Sequence, residues 1–147
     1  MAQDPSRAFH EKHLVPNHDQ WVEHPTRVRL AMNVVLSLYH MADHFWQAWA
    51  PTQPERVFNS EDATAFRAEL ARNHEAFALV CDLAEGRRQM GLHHNVPRVS
   101  GDFEHTSEAS IAYEEPDQIM FTLDDGSMRP LKPVVEEVME FWSGQVK

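Results

Sequence analysis

Cysteine and long apolar runs are both scarce in this chain, and each shortage narrows its class. Cys81 is the only cysteine among 147 residues, so no intrachain disulfide can form, which fits a reducing compartment. Charged residues or histidines interrupt every apolar stretch before it reaches the roughly 18 residues that a membrane span requires. Residues 1–20 are polar and lack the apolar core of a secretory signal. We therefore expect a cytoplasmic protein with no membrane partner.

Positive charge is also scarce. The chain has 13 Lys and Arg against 23 Asp and Glu, a formal net charge of −10, so extensive DNA binding is not expected. A Gly-rich phosphate loop, a Gly-x-Ser-x-Gly elbow and a His-Glu-x-x-His metal motif are all absent from the sequence. Histidine, by contrast, is abundant: ten residues are spread along the chain. Where several histidines lie together, we expect the charge and shape of the protein to respond to pH between about 5 and 7.

Helical periodicity predicts a mainly α fold in a single domain, residues 1–147. We expect a bundle of two long helices and a C-terminal helix, with a small β-hairpin appended. The first long helix begins near Pro25 and ends before Pro51, and the second runs from about Glu61 to Glu85. In chain order we predict an irregular lead-in (1–20, with at most a short helix at 6–13), a helical core (25–94), a long loop (95–117), a hairpin (118–132) and a C-terminal helix (133–144).

The first long helix is apolar on nearly every side, apart from one narrow line of polar residues. At about 100° per residue these project within an arc of about 80°. We call this line the polar stripe: Thr26, Arg29, Asn33, Ser37, His40, His44 and Gln47. Neutral hydrogen-bonding groups, rather than Lys and Glu, favour a semi-enclosed cleft that takes a small polar ligand. The predicted ligand-binding residues are Arg29, Asn33, Ser37, His40 and His44.

Two histidines of the stripe also raise the possibility of a metal site. His40 and His44 stand four positions apart on one helix face, a spacing at which two imidazoles can bind one divalent ion. His74, on the second long helix, is the candidate third ligand if the two helices pack antiparallel. In a histidine-rich chain this spacing also arises by chance, and the alternative is that each histidine has a structural role.

A second candidate pair lies near the end of the predicted helical core. Arg88 is followed by four residues and then His93, a spacing that resembles the Arg-x4–6-His motif of HEPN-type helical ribonucleases. That resemblance implies that Arg88 binds a scissile phosphate and that His93 acts as acid or base on the ribose hydroxyl. Several other Arg and His pairs in the chain have similar spacing, so composition alone also explains the match.

Two segments resemble elements of a group of uncharacterised small bacterial helical proteins. The group carries an H-L-A-D-W element, a C-D-I-A-N-G-x-K-H element, a short hairpin and a terminal helix, and the resemblance covers about residues 30–142. The matching positions here are His40, Ala42, Asp43, Cys81, Asp82, Ala84 and Gly86. Glu85 replaces the amide, and Arg87 and Arg88 stand where Lys-His is expected. The resemblance implies the architecture above and no particular activity.

Three functions follow as hypotheses. The preferred one is a non-enzymatic binding or interaction module that takes a small polar ligand or a protein partner. The alternatives are a HEPN-like RNA-cleaving domain using Arg88 and His93, and a metal-dependent enzyme using a divalent ion at His40, His44 and His74. A homodimer is also expected, because small apolar helical domains often cover residual apolar surface by two-fold pairing. The predicted contact is the aromatic end of the first helix, with Phe45, Trp46 and Trp49.

Overall fold

The structure, a computed structural model, describes residues 4–93 and 117–146. These residues form a mainly helical fold with a small antiparallel sheet, which confirms the predicted fold class. Across the described residues, no helix combines the length and apolarity of a membrane span. The predicted long loop at 95–117 lies almost wholly outside the described residues. In chain order the elements are α1 (Pro5–Phe9), a π-helical turn (His10–Leu14), α2 (Val15–Glu23), α3 (Val28–Trp49), a 3₁₀ turn (Pro54–Val57), α4 (Ala63–Asn73), α5 (Glu75–Ala84), β1 (Met90–His93), β2 (Gln118–Thr122), β3 (Met128–Pro130) and α6 (Leu131–Gln145).

Helix α3 lies at the centre of the fold and is uninterrupted, as predicted. Val34, Leu38 and Ala42 are fully buried along it, and Phe45 is 1% exposed. The helix begins at Val28 and not at the predicted Pro25, because residues 24–27 form a turn. A helix that is apolar on most sides must be covered on most sides, and the remaining helices meet that requirement.

The predicted irregular lead-in is wrong, because residues 5–23 are helical. Elements α1, the π-helical turn and α2 follow one another without a break, and we call residues 5–23 the N-terminal helix. Asp4 caps its start by accepting a hydrogen bond from the Ser6 backbone N–H at 2.9 Å, and Pro5 suits the first helical position. Leu14 and Trp21 are buried in the shared core. Tertiary burial therefore stabilises a segment whose own sequence is largely polar.

The predicted second long helix is two helices, α4 and α5, which break at His74. The backbone of His74 is extended (φ −147°, ψ 99°), and its Nδ1 accepts a hydrogen bond from the Phe77 backbone N–H at 3.1 Å. His74 is thus the N-cap of α5. The predicted start near Glu61 is also shifted, since α4 begins at Ala63 with Asp62 as its N-cap.

The predicted hairpin is present, but a third strand joins it. Strands β2 and β3 pair antiparallel, with Phe121 opposite Arg129, and Gly126 adopts the positive φ of +85° that its turn requires. Strand β1 pairs with the other edge of β2, with Leu92 opposite Ile119. The helical core predicted for 25–94 therefore ends at Ala84, and Met90–His93 is extended.

Helix α6 packs against α3 and completes the core. It begins at Leu131, two positions before the predicted start, and ends at Gln145. Trp142 is fully buried, and its indole Nε1 donates to the Leu38 backbone carbonyl of α3 at 3.1 Å. Burial of one large side chain of this kind contributes on the order of 2–3 kcal/mol, so α6 is firmly attached to α3.

The cap at His74 can be tested by substitution. His74→Ala removes the acceptor for the Phe77 N–H, and we expect the free energy of unfolding to fall by about 1 kcal/mol. His74→Asn restores a side-chain acceptor and should recover much of that loss. Urea denaturation of the wild type and both variants measures the difference. Equal stability of His74→Ala and the wild type would show that the helix break does not depend on this cap.

Candidate functional site

The N-terminal helix lies along the polar stripe of α3 and closes its middle. The Asn17 Nδ2 donates to the Ser37 Oγ at 2.8 Å, and that hydroxyl donates to the Asn33 carbonyl oxygen at 2.8 Å. Ser37 is only 6% exposed. The Ser37 hydroxyl therefore bonds both to the N-terminal helix and to the Asn33 carbonyl, at a position that the sequence predicted to bind a ligand.

The outer members of the stripe lie in a different environment. Thr26 precedes α3, and Thr26, Arg29 and Gln47 are all exposed. The five predicted ligand-binding residues thus separate into an exposed Arg29, a buried Ser37, a partly exposed Asn33, and the two histidines His40 and His44. Of these five residues, His44 lines an open groove.

That groove is formed where α3 meets the first turns of the N-terminal helix. The ring of Phe9 stacks on His44, with ring centroids 4.1 Å apart and planes inclined by 18°. The His13 ring lies on the Phe9 ring as well, at 5.1 Å. A volume of about 260 Å³ opens here to solvent. Its lining residues are Pro5, Ala8, Phe9, Lys12, His13 and His44, and we call it the histidine groove.

Asp43 and Arg67 form an ion pair near the histidine groove. Asp43 accepts a charged hydrogen bond from Arg67 through its Oδ1. The guanidinium carbon of Arg67 lies 4.7 Å from the centroid of the Tyr39 ring, a cation–π contact. His40 Nδ1 lies 3.4 Å from the second carboxylate oxygen, Oδ2. Asp43 is therefore shared, and its negative charge is largely balanced by Arg67.

Burial lowers the pKa of two histidines, His44 on α3 and His10 in the N-terminal helix. For His44 the main cause is desolvation; Asp43 opposes the shift, and the neighbouring His40 and His13 add to it. For His10 desolvation again dominates, opposed by Glu11. The His10 Nε2 lies 3.2 Å from the Ser143 Oγ of α6. Both imidazoles are therefore held in their neutral form more strongly than in the unfolded chain.

The predicted metal site is not assembled. His74 caps α5 and packs against Phe141, with ring centroids 5.1 Å apart, while His44 stacks on Phe9. Within residues 4–93 and 117–146, no group of three or more His, Cys, Asp or Glu side chains is placed to hold a metal ion. The three histidines thus have different partners: His40 lies beside Asp43, His44 stacks on Phe9, and His74 caps α5.

Arg88 and His93, the predicted ribonuclease pair, have different surroundings. Arg88 bonds to Asp82 at 3.0 Å, to the Thr122 carbonyl oxygen at 3.2 Å and to Asp124 at 3.1 Å. It attaches the sheet to α5. His93 is exposed at the end of β1, and an extended chain carries residues apart by about 3.3 Å each. The arginine therefore has a structural role here.

The aromatic cluster predicted to mediate dimerisation is packed within the chain. Phe45 is buried, and the Trp46 indole donates to the Ser60 carbonyl oxygen at 3.2 Å. The Arg56 guanidinium carbon lies 4.1 Å from the centroid of the Trp49 ring and covers it. Phe45 is therefore not available for a contact between two copies, whereas Trp46 and Trp49 are partly exposed, and the dimer contact through this cluster remains a prediction.

Sequence reasoning missed four residues of this region: Phe9, Lys12, His13 and Asn17. They belong to the segment predicted as irregular, so no face could be assigned to them. One signal was available, since Asp4-Pro5-Ser6 is a typical helix start. No known protein family, curated protein or solved structure matches this chain.

The buried histidines predict how stability depends on pH. The unfolded chain protonates His10 and His44 near pH 6.5, whereas the folded chain does so at lower pH. The free energy of unfolding should therefore be greatest above pH 6.5 and fall as the pH drops from 7 to 5.5. Urea denaturation across this range should show a flatter dependence in the double variant His10→Gln/His44→Gln. The variant His24→Gln is the control, because His24 is exposed. If the stability of the double variant depended on pH as steeply as that of the wild type, His10 and His44 would not be the residues responsible.

Cys81 should be inert to alkylation in the folded protein. It lines a second groove of about 190 Å³ with Arg67 and Glu85, but burial, assisted by Glu85, raises the pKa of its thiol to about 12. Compared with a thiol at its ordinary pKa of 9.0, the thiolate fraction at pH 8 is about a thousandfold lower. Mass spectrometry after iodoacetamide treatment should show modification only in urea. Rapid labelling of the native chain would refute this.

Proposed function

We propose that the protein is a non-enzymatic binding module that takes a small polar ligand in the histidine groove. The observation that carries the proposal is the convergence of Lys12, His13 and His44 on one open groove. These side chains come from two elements that are distant in sequence. Convergent polar groups on an apolar wall are typical of small-ligand sites.

The contrast within the polar stripe supports this location. The hydroxyl of Ser37 is closed by Asn17, whereas His44 lines an opening. The apolar part of the wall comes from Pro5, Ala8 and Phe9. Such a wall can bury the body of a ligand while the basic groups orient its polar end.

The enzymatic alternatives have less support. A HEPN-like activity would need Arg88 to face a phosphate, yet its guanidinium bonds to two carboxylates and a backbone carbonyl. A metal-dependent activity would need His74 beside His40 and His44, yet His74 caps a helix. Neither alternative has an observation in its favour comparable to the histidine groove.

Self-association and a cytoplasmic location remain parts of the proposal. Within residues 4–93 and 117–146, four large apolar side chains are more than a third exposed: Val22, Val28, Phe58 and Met128. Val22 and Val28 flank the turn between α2 and α3, and they are a second candidate contact between two copies, in addition to Trp46 and Trp49. Light scattering at micromolar concentration tests the dimer, and a mass near 17.0 kDa would contradict it. The cytoplasmic location rests on the single cysteine.

The ligand site is tested by a thermal-shift screen of small molecules and metal ions. Compounds that bind the histidine groove should raise the melting temperature of the wild type and raise that of His44→Ala much less. Gln47→Ala is the matched control, because Gln47 belongs to the same stripe but is exposed. The shift, and not the absolute melting temperature, is compared, since His44→Ala also loses its contact with Phe9. No shift with any compound, or equal shifts in both variants, would overturn the proposal.

A further inference from the structure

We infer that the ligand of the histidine groove is a small carboxylate with an apolar body, and that it holds the N-terminal helix against α3. This inference rests on the proposed function and specifies its ligand class. It follows from which charges face the groove, from which elements carry them, and from the apolar wall beside them.

The charges that face the groove are almost all basic or capable of becoming so. Lys12 and His13 come from the N-terminal helix, and His44 comes from α3, with His40 one turn before it. No Asp or Glu is among the described residues that line the groove, and two acidic residues adjacent in sequence to its lining have cationic partners. Asp43 is bound by Arg67, and Glu11 lies 3.2 Å from Arg7. An anion is therefore the ligand that these groups complement.

Protonation and anion binding are coupled at such a site. Histidine ordinarily gains its charge near pH 6.5, and an adjacent anion favours the charged form. Binding of an anion should therefore take up protons, and its affinity should rise as the pH falls. A neutral ligand of the same shape lacks this coupling.

The positions of the basic groups make the anion a bridge between two helices. Lys12 and His13 are on one side of the groove and His44 is on the other, so their charged forms repel each other across Phe9. An anion between them removes that repulsion. Farther along the N-terminal helix, Asn17 bonds to Ser37 and His18 lies 3.1 Å from Glu136. The segment that responds to the anion is therefore residues 5–14.

The apolar wall narrows the ligand class further. Pro5, Ala8 and Phe9 form it, and a bare inorganic anion leaves these carbon surfaces exposed to water. A carboxylate attached to a ring or a short chain covers them and gains by burying its own apolar surface. The volume of about 260 Å³ suits a ligand of that size.

Three probes that share a phenyl ring and differ in charge separate the ligand classes: benzoate (anionic), benzamide (neutral) and benzylamine (cationic). Titrations followed by NMR, in Bis-Tris or Tris buffer at constant chloride, give the dissociation constants at pH 6.0 and 8.0. We expect benzoate to bind about tenfold more tightly at pH 6.0 than at pH 8.0. Benzamide and benzylamine should bind more weakly, and benzamide should show no pH dependence. Inorganic phosphate, as a fourth probe, should bind more weakly than benzoate because it lacks an apolar body.

Variants assign the effect to the groove. His13→Gln/His44→Gln should abolish the pH dependence of benzoate binding, and Lys12→Gln should weaken binding at both pH values while preserving its pH dependence. His24→Gln, in the exposed turn after α2, is the control and should bind as the wild type does. Lys12 is exposed, so its substitution tests the charge requirement even if the double variant folds poorly. Unchanged benzoate affinity in Lys12→Gln would overturn the inference.

Hydrogen exchange tests the bridge between the two helices. At pH 6.0, benzoate should slow amide exchange in residues 5–14 and leave α5 unchanged. Three outcomes contradict the inference in distinguishable ways. If benzamide binds as tightly as benzoate, the groove is a ligand site but not an anion site. If benzoate binds without slowing exchange in residues 5–14, it does not bridge the helices. If no probe and no compound of the screen binds, the proposed function fails as well.

Discussion

The burial of α3 is the constraint on which the rest of the structure depends. A helix of 22 residues, about 33 Å long, is apolar on nearly every side and cannot remain in water. The N-terminal helix, α4, α5 and α6 each contribute buried side chains to the same core. Trp142 illustrates the result, since it is fully buried and still satisfies its indole N–H on the Leu38 carbonyl of α3.

The polar stripe shows how such a helix manages its few hydrophilic positions. Where the N-terminal helix lies close, Asn17 satisfies Ser37, and the Ser37 hydroxyl in turn bonds to the backbone carbonyl of Asn33. At the first turns of that helix, Phe9 stacks on His44 beside the histidine groove, which is open to solvent. The polar stripe therefore has two roles, one structural and one at the groove. Buried polar groups require hydrogen-bond partners within the protein, whereas polar groups at an open groove can bond to water or to a ligand.

Histidine is used in several unrelated ways in this chain. His74 caps a helix with its Nδ1, and His18 pairs with Glu136 across two helices. Burial lowers the pKa of His10 and His44. Abundance of one residue type thus does not indicate one shared site, and the histidines of the groove stand out by what surrounds them.

The sequence by itself determined the elements whose signals are local. Three signals are each contained in one continuous stretch of sequence: the apolar circumference of α3, the Asp-Gly turn of the hairpin and the apolar face of α6. Periodicity and turn chemistry were therefore enough to predict these elements. The break at His74 was not visible, because an uninterrupted helix and a capped pair share the same apolar pattern. Only the tertiary structure decided the N-terminal helix, which depends on the burial of Leu14 and Trp21 against distant residues. The histidine groove was decided in the same way, because Lys12 and His13 meet His44 only after the two helices have packed together.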